Sequence, residues 1–201
     1  MRDWRDKLLL GSWAVDLSCL VNPHDTNNRL AFLFCKLVRS ALAASPDGAF
    51  EPCSPPPCKL DKFWLATDFA EKVSAVDSQT WSDGSWGDFS MLLERLRPYR
   101  DLEAWRAKPL SSLKDTDFAL DAVEVVLWCF FSTDTLKEGA KTVERFHGDP
   151  GAVSALYGAL SGAFYGYSAI PSEWVDAIPA HSGLDDAIIG ICSLRDKQLE
   201  M

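Results

Sequence analysis

Hydrophobic and polar positions along the chain follow helical spacing, and no alternating strand pattern extends beyond a few residues. Residues 1–22 predict a first helix, with Trp4, Leu8, Trp13 and Leu17 as its apolar members. Asn22-Pro23-His24-Asp25 ends it, because Pro restricts the residue before it and Asn and Asp favour turns. A second helix starts at Asn27 or Asn28 and carries Leu30, Phe32, Leu33, Phe34, Leu37, Val38, Ala41 and Leu42. Lys36 and Arg39 are its polar exceptions, and a helix apolar nearly all round is buried on most sides. Residues 45–57 read as a Pro-rich loop, since Pro46, Pro52, Pro55, Pro56 and Pro57 neither continue a helix nor fill a central strand.

Helical spacing returns over 60–77, with Phe63, Leu65, Phe69, Val73 and Val76. A Gly/Ser/Trp/Asp turn region covers Ser78 to Asp88, and a short helix follows from about Phe89 to Leu96. Residues 117–131 predict the strongest core helix. Asp117, Asp121 and Glu124 form one polar stripe on it, and Ala119, Leu120, Val123, Val125, Val126, Leu127, Trp128, Phe130 and Phe131 cover the rest. Thr135-Leu136-Lys137-Glu138 matches a capping box before Leu136, Ala140, Val143 and Phe146 at helical spacing. Asp149-Pro150 then opens another helix, Asp as N-cap and Pro as first helical residue. That helix carries Gly158, Gly162 and Gly166 at intervals of four, beside Ala155, Ala159 and Ala163. Each helical Gly costs about 1 kcal/mol against Ala, so three on one face predict a close approach by another helix. The fold class is all-α: a compact orthogonal multi-helix bundle in a single domain over 1–201, with a mobile tail at 179–201.

Composition narrows the partners. Hydrophobic residues are 47% and charged residues 24% of the 201, which excludes a largely disordered chain. Lys plus Arg number 20 and Asp plus Glu 29, so the net charge is −9, the same sign as nucleic acid and anionic membranes. Neither is expected as a partner. Lys36, Arg39 or Glu124 interrupts each long apolar stretch well short of about 18 residues, so no transmembrane helix is predicted. Arg2, Arg5 and Lys7 precede Leu8 to Val15 in the manner of a signal peptide, but Gly11 and Ser12 dilute the segment and Asp16 ends it. A cytoplasmic protein is expected. Cys19, Cys35 and Cys129 lie in apolar runs as small hydrophobes, whereas Cys53 and Cys58 bracket a proline run and are either free or paired.

Candidate chemistry is sparse. With three His, no Ser/His/Asp or Cys/His set stands out, and catalytic residues stay unassigned. Gly84-Ser85-Trp86-Gly87 is a turn signature rather than a phosphate loop, because no strand and helix frame it. Trp81 and Trp86 in that region are candidates for an exposed stacking surface. The Asp117/Asp121/Glu124 stripe offers either paired acids or a solvated, ion-paired face. His24 and Asp25 read as turn residues, and His181 with Asp185 and Asp186 as a weak metal candidate in the tail.

Several motifs carry a resemblance. Leu127-Trp128, Thr135 to Phe146, His147-Gly148-Asp149-Pro150-Gly151-Ala152-Val153, Gly158-Ala159-Leu160-Ser161-Gly162-Ala163-Phe164-Tyr165-Gly166 and Ile170-Pro171-Ser172-Glu173-Trp174 stand in this order. The order resembles the C-terminal half of the ADP-ribosylglycohydrolase family: a helix ending in Leu-Trp, a helix, a Gly-Gly-Asp-Thr-Asp-Thr loop, a Gly-Ala-Leu-x-Gly-Ala-x-Tyr-Gly helix, then Ile-Pro-x-x-Trp. Upstream, Leu17-Ser18 to Asp25 is similar to the family's Ser-x-x-Thr-His-x-Asp turn. The family-like core covers about 15–44 and 110–178.

The resemblance implies an all-α hydrolase that cleaves the glycosidic bond between ADP-ribose and a protein side chain, using two Mg²⁺ ions held by carboxylates. It makes Asp149 the metal ligand, matching the loop's first Asp. Pro150, Gly151 and Ala152 replace its following Thr, Asp and Thr. The family's N-terminal metal motifs find no match, so the N-terminal part of the family fold is expected to be lacking. One carboxylate is too few for a dinuclear site, and activity is expected to be impaired in this chain alone. Asp149 is otherwise simply an N-cap. His147 is either a metal or ribose contact or a partner of the helix dipole. Gly148 and Gly151 place backbone N–H groups where a phosphate binds in the alternative reading, a non-catalytic ADP-ribose or nucleotide module. A third reading is a structural protein whose exposed face is covered by a second copy or another chain.

Overall fold

The computed structural model describes residues 7–44, 61–76 and 90–177, with positions 186, 189, 190 and 193 beyond them. The Pro-rich loop, the Cys53/Cys58 pair, the Trp81/Trp86 region, His181 with Asp185, and most of the expected tail lie outside the described residues. Turn residues divide the described chain into α1 (Lys7–Val21), α2 (Asp25–Ala44), α3 (Lys62–Val76), α4 (Ser90–Leu96), α5 (Leu102–Ala107), α6 (Ala119–Ser132), α7 (Leu136–Val143), α8 (Pro150–Tyr165) and α9 (Ser172–Ala177). Among the described residues there is no strand, and no helix is long and apolar enough to cross a membrane. The all-α expectation holds. α5 has no counterpart in the spacing-based reading, because it is one short turn and a half; its start is legible in Asp101, whose side chain accepts from Ala104 N–H at 2.8 Å.

The apolar run of α6 places it at the centre, packed against α2, α5, α7 and α8. Leu120, Val126, Leu127, Phe130 and Phe131 are fully buried there. An aromatic series crosses the core: Tyr99 stacks on Trp105 at 3.7 Å, Trp105 meets Phe131 at 5.4 Å, and Phe130 meets Phe164 of α8 edge-on at 5.3 Å. Such pairs each contribute about 0.5–1.5 kcal/mol beyond their buried area. The stripe of acids on α6 divides. Asp117 lies exposed before the helix, whereas Asp121 and Glu124 are 4% and 1% exposed and ion-paired rather than solvated.

α6 also needs partners for its last carbonyls, since its final turn has no basic residue. Other helices supply them. Lys62 of α3 donates to the Phe130 carbonyl and, at 2.6 Å, to that of Thr133. Arg106 of α5 donates to the Phe131 carbonyl at 3.2 Å. The Lys62 amine is buried among rings, 4.3 Å from the centre of Phe130 and 5.0 Å from that of Tyr165.

One packing expectation is overturned, that of the glycines on α8. On α1, the apolar Trp13 and Leu17 are 38% and 66% exposed. Gly11 is buried instead, because α1 lies so close to α2 that a Cβ there would sit 2.4 Å from the Phe32 ring. On α8, the inward stripe is Val153, Tyr157, Leu160 and Ser161. Among the described residues, a Cβ on Gly158 or Gly162 would meet nothing within 4 Å, so these glycines mark no crossing with a described helix. The close crossing is elsewhere: at Gly139 of α7 a Cβ would lie 2.0 Å from the Tyr157 hydroxyl. Gly166 ends α8 at φ 78°, where a side chain would be strained.

Burial lowers the Lys62 amine from the ordinary 10.5 to about 7, against the raising effect of Asp134. Between these values the unfolded chain holds a proton that the folded chain has released. Unfolding then takes up a proton, so this group makes stability rise with pH across that window. Chemical denaturation of the wild type and Lys62→Met from pH 7 to 10 is expected to show the wild-type curve climbing relative to the variant. Parallel curves would mean that Lys62 keeps its proton in the fold.

Candidate functional site

The Asp-Pro pair that opens α8 and the short turn after α7 together make the loop 147–149. Its carboxylate works locally. Asp149 Oδ1 accepts from Ala152 N–H at 3.0 Å, and Pro150 takes the first helical position, where a missing N–H is harmless. The N-cap reading of Asp149 is therefore realised in the structure.

A residue the sequence reading did not single out holds the rest of the loop. Asp115 accepts from the backbone N–H of Gly148 at 2.8 Å and of His147 at 2.9 Å. The Gly148 N–H is the largest reason that the Asp115 carboxyl lies below its usual range. His147 Nδ1 lies 3.7 Å from Asp115 Oδ2, with its side chain 82% exposed. The only sequence signal for Asp115 is an acid in the segment before α6, which by itself names no partner.

Gly148 is small for a packing reason. A Cβ there would fall 2.4 Å from the Thr116 carbonyl carbon. The loop backbone lies directly on the 115–116 backbone, and no side chain fits between them. Gly151 differs: among the described residues its added Cβ would meet only Asp149 Oδ1, at an ordinary 3.6 Å. Of the expected site residues, His147, Gly148 and Asp149 thus share one exposed loop, and Gly151 follows in the exposed first turn of α8.

The donor set of this loop falls short of what a divalent metal needs. Hard cations take six or more oxygens from several carboxylates, carbonyls and waters. Here Asp149 is engaged by its helix start and Asp115 by two backbone N–H groups. Among the described residues no three of His, Cys, Asp and Glu are grouped to hold a metal ion. These residues do not fit a dinuclear centre.

Upstream, the expected turn residues stay apart from this loop's bonds. His24 Nδ1 accepts from Thr26 N–H at 3.2 Å and helps α2 start at Asp25, two or three residues before the expected Asn27 or Asn28. The capping box at Thr135 is half realised. Thr135 accepts from Glu138 N–H at 3.1 Å, but Glu138 reaches back to the N–H of Asp134 instead of Thr135.

Gly148→Ala is expected to force the loop off Thr116 and lower stability by about 1–3 kcal/mol, as overpacked sites do. Thermal melting checks this; an unchanged midpoint would show that the two backbones separate freely.

The pattern has known counterparts. An ADP-ribosylarginine hydrolase Tri1 of Serratia proteamaculans is 27% identical over 74 residues, covering 37% of this chain and 20% of that protein. Its namesake in Pseudomonas putida is 26% identical over 74 residues, with the same coverage. An ADP-ribosyl-[dinitrogen reductase] glycohydrolase of Rhodospirillum rubrum is 35% identical over 83 residues, covering 34% of this chain and 28% of that protein. The chain thus matches less than a third of the length of these curated relatives. No solved structure matches. The ADP-ribosylglycohydrolase family profile, by contrast, matches residues 5–199, nearly the whole sequence. The chain belongs to the ADP-ribosylglycohydrolase family.

Proposed function

We propose that this chain is an ADP-ribosylglycohydrolase-type protein, built to engage ADP-ribose joined to a protein side chain, and impaired in turnover by itself. Arginine is the side chain favoured by the names of two relatives. The observation that carries the impairment is the state of the loop carboxylates. Asp149 caps α8, and Asp115 clamps the backbone of His147 and Gly148. The family is metal-dependent, and Mg²⁺ is the ion its resemblance implies. A Mg²⁺ pair needs more oxygens than this loop has to spare, so no hydrolytic step is assigned to it.

The roles of the loop residues in this reading are modest. Asp115 orients the loop, Gly148 lets it sit down on Thr116, and His147 presents an exposed imidazole beside it. Gly151 offers its backbone N–H to an anion, with the Asp149 charge opposing it; Pro150 has no N–H, and those of Ala152 and Val153 are taken by Asp149. Non-catalytic binding of ADP-ribose is the alternative that this arrangement leaves open. The free thiols of Cys19, Cys35 and Cys129 support a reducing, cytoplasmic setting.

Titration calorimetry with ADP-ribose, with and without Mg²⁺, is the direct test, paired with a release assay on ADP-ribosylated arginine. The expected outcome is no release above the blank and at most weak binding, little altered in Asp149→Ala. Robust Mg²⁺-dependent release, lost in that variant, would overturn the proposal and make Asp149 a metal ligand.

A partner-dependent role has its own support. Leu17, Leu20 and Val21 of α1 are 66%, 83% and 88% exposed, a concentration of apolar surface that favours association. Sedimentation is expected to show self-association at high concentration or co-migration with a second chain. A strictly monomeric species under all conditions would count against this role.

A further inference from the structure

The first helix is apolar on two sides. Gly11, Ala14, Val15 and Ser18 are its buried or half-buried positions, and α2 is its main neighbour among the described elements. Trp13, Leu17, Leu20 and Val21 are its exposed large apolar residues. At about 100° per residue these four fall within one stripe about 100° wide, on the far side of the helix from Gly11 and Val15. The stripe is continuous for more than two turns, unlike the single apolar residues that any surface carries. A helix apolar on both sides is ordinarily buried on both, and α2 covers only one of them.

Size, charge and spacing identify the occupant of the other side. From their exposures the four residues offer on the order of 500 Å² of surface, so two such faces together remove about 1,000 Å² from water, where specific interfaces begin. Asp16, at the edge of the stripe, is the one charge among residues 11–21. A basic partner would therefore find little to pair with, whereas a second uncharged helical stripe of the same width fits. A second α1 running antiparallel supplies it with matched shapes. Trp13 lies four residues before Leu17 and Leu20 three residues after it, so with the two Leu17 side chains at the centre each copy's Trp13 falls beside the other's Leu20. The same patch is thereby used on both copies, as a two-fold contact requires.

We propose that α1 of one copy packs antiparallel on α1 of a second copy, through Trp13, Leu17, Leu20 and Val21. This rests on the partner-dependent role read above and names the partner as this chain itself. The test is sedimentation equilibrium of the purified full chain from about 1 to about 200 µM, the range in which an interface of this modest size dissociates. A reversible dimer is expected, and it is expected to tighten with added salt, because screening weakens the repulsion between two chains of net charge −9. Leu17→Glu sets two like charges at the centre of the contact and is expected to weaken the dimer about tenfold or more. Leu20→Glu serves as the second variant. Both side chains are exposed in the single copy, so the melting temperature of the dilute, monomeric variants is expected to equal that of the dilute wild type. A dimer undiminished in both folded variants would overturn the inference. So would a lower melting temperature of the dilute variants, which would mean that another segment of the same chain covers the stripe. A purified chain that stays monomeric but co-migrates with a different protein would overturn it and leave the partner-dependent role standing; a monomer that co-migrates with nothing would remove both.

Discussion

Glu124 sits at 1% exposure in the most apolar helix of the chain. A carboxylate taken that far from water is tolerated only when donors meet its oxygens. Three segments supply them. Arg95 comes from α4, Tyr99 from the turn after it, and Lys108 from the end of α5, at 2.6 Å. Burial alone would push the Glu124 carboxyl up. The bonds from Lys108, Tyr99 and Arg95 outweigh it and leave the carboxyl below its ordinary value. Arg95 also donates to Asp121 at 2.8 Å, so one guanidinium ties both buried acids to α4. The positions of α4, α5 and the turn between them follow from this need as much as from apolar burial.

The same constraint reaches the candidate site. Thr116 donates to Asp121 at 2.7 Å, which fixes the segment just before α6. Asp115, next in the chain, clamps the backbone of His147 and Gly148, and Gly148 rests on Thr116 itself. A sequence of contacts thus runs from the buried acids of α6 to the loop that opens α8. Loop and helix start are positioned by interactions already complete within the protein.

Much of this was legible from spacing and caps. The Asn22-Pro23 break, the apolar runs of α2 and α6, Thr135 and Asp149 as caps, and Pro150 as first helical residue are local features. Each depends on a few neighbouring residues, so the sequence carries the whole cause. What was misread was direction. Trp13 and Leu17 are large and apolar, yet α1 turns its Gly11 side to α2 because proximity to Phe32 decides the contact. The glycines of α8 suggested a crossing, but Gly139 of α7 makes it. A glycine records that something small is tolerated; only the neighbouring element shows whether anything comes close.

The sequence by itself determined that the chain is helical, where most helices begin and end, which family it joins, and which loop residues resemble that family's site. These are set by local hydrogen bonding, side-chain period and motif order. The tertiary structure alone decided that Asp121 and Glu124 are buried and partnered, that Lys62 closes the end of α6, and that Asp115 holds the loop at 147–148. Those outcomes join residues tens of positions apart in the chain. No local pattern encodes them, because a buried charge is defined by what surrounds it after folding.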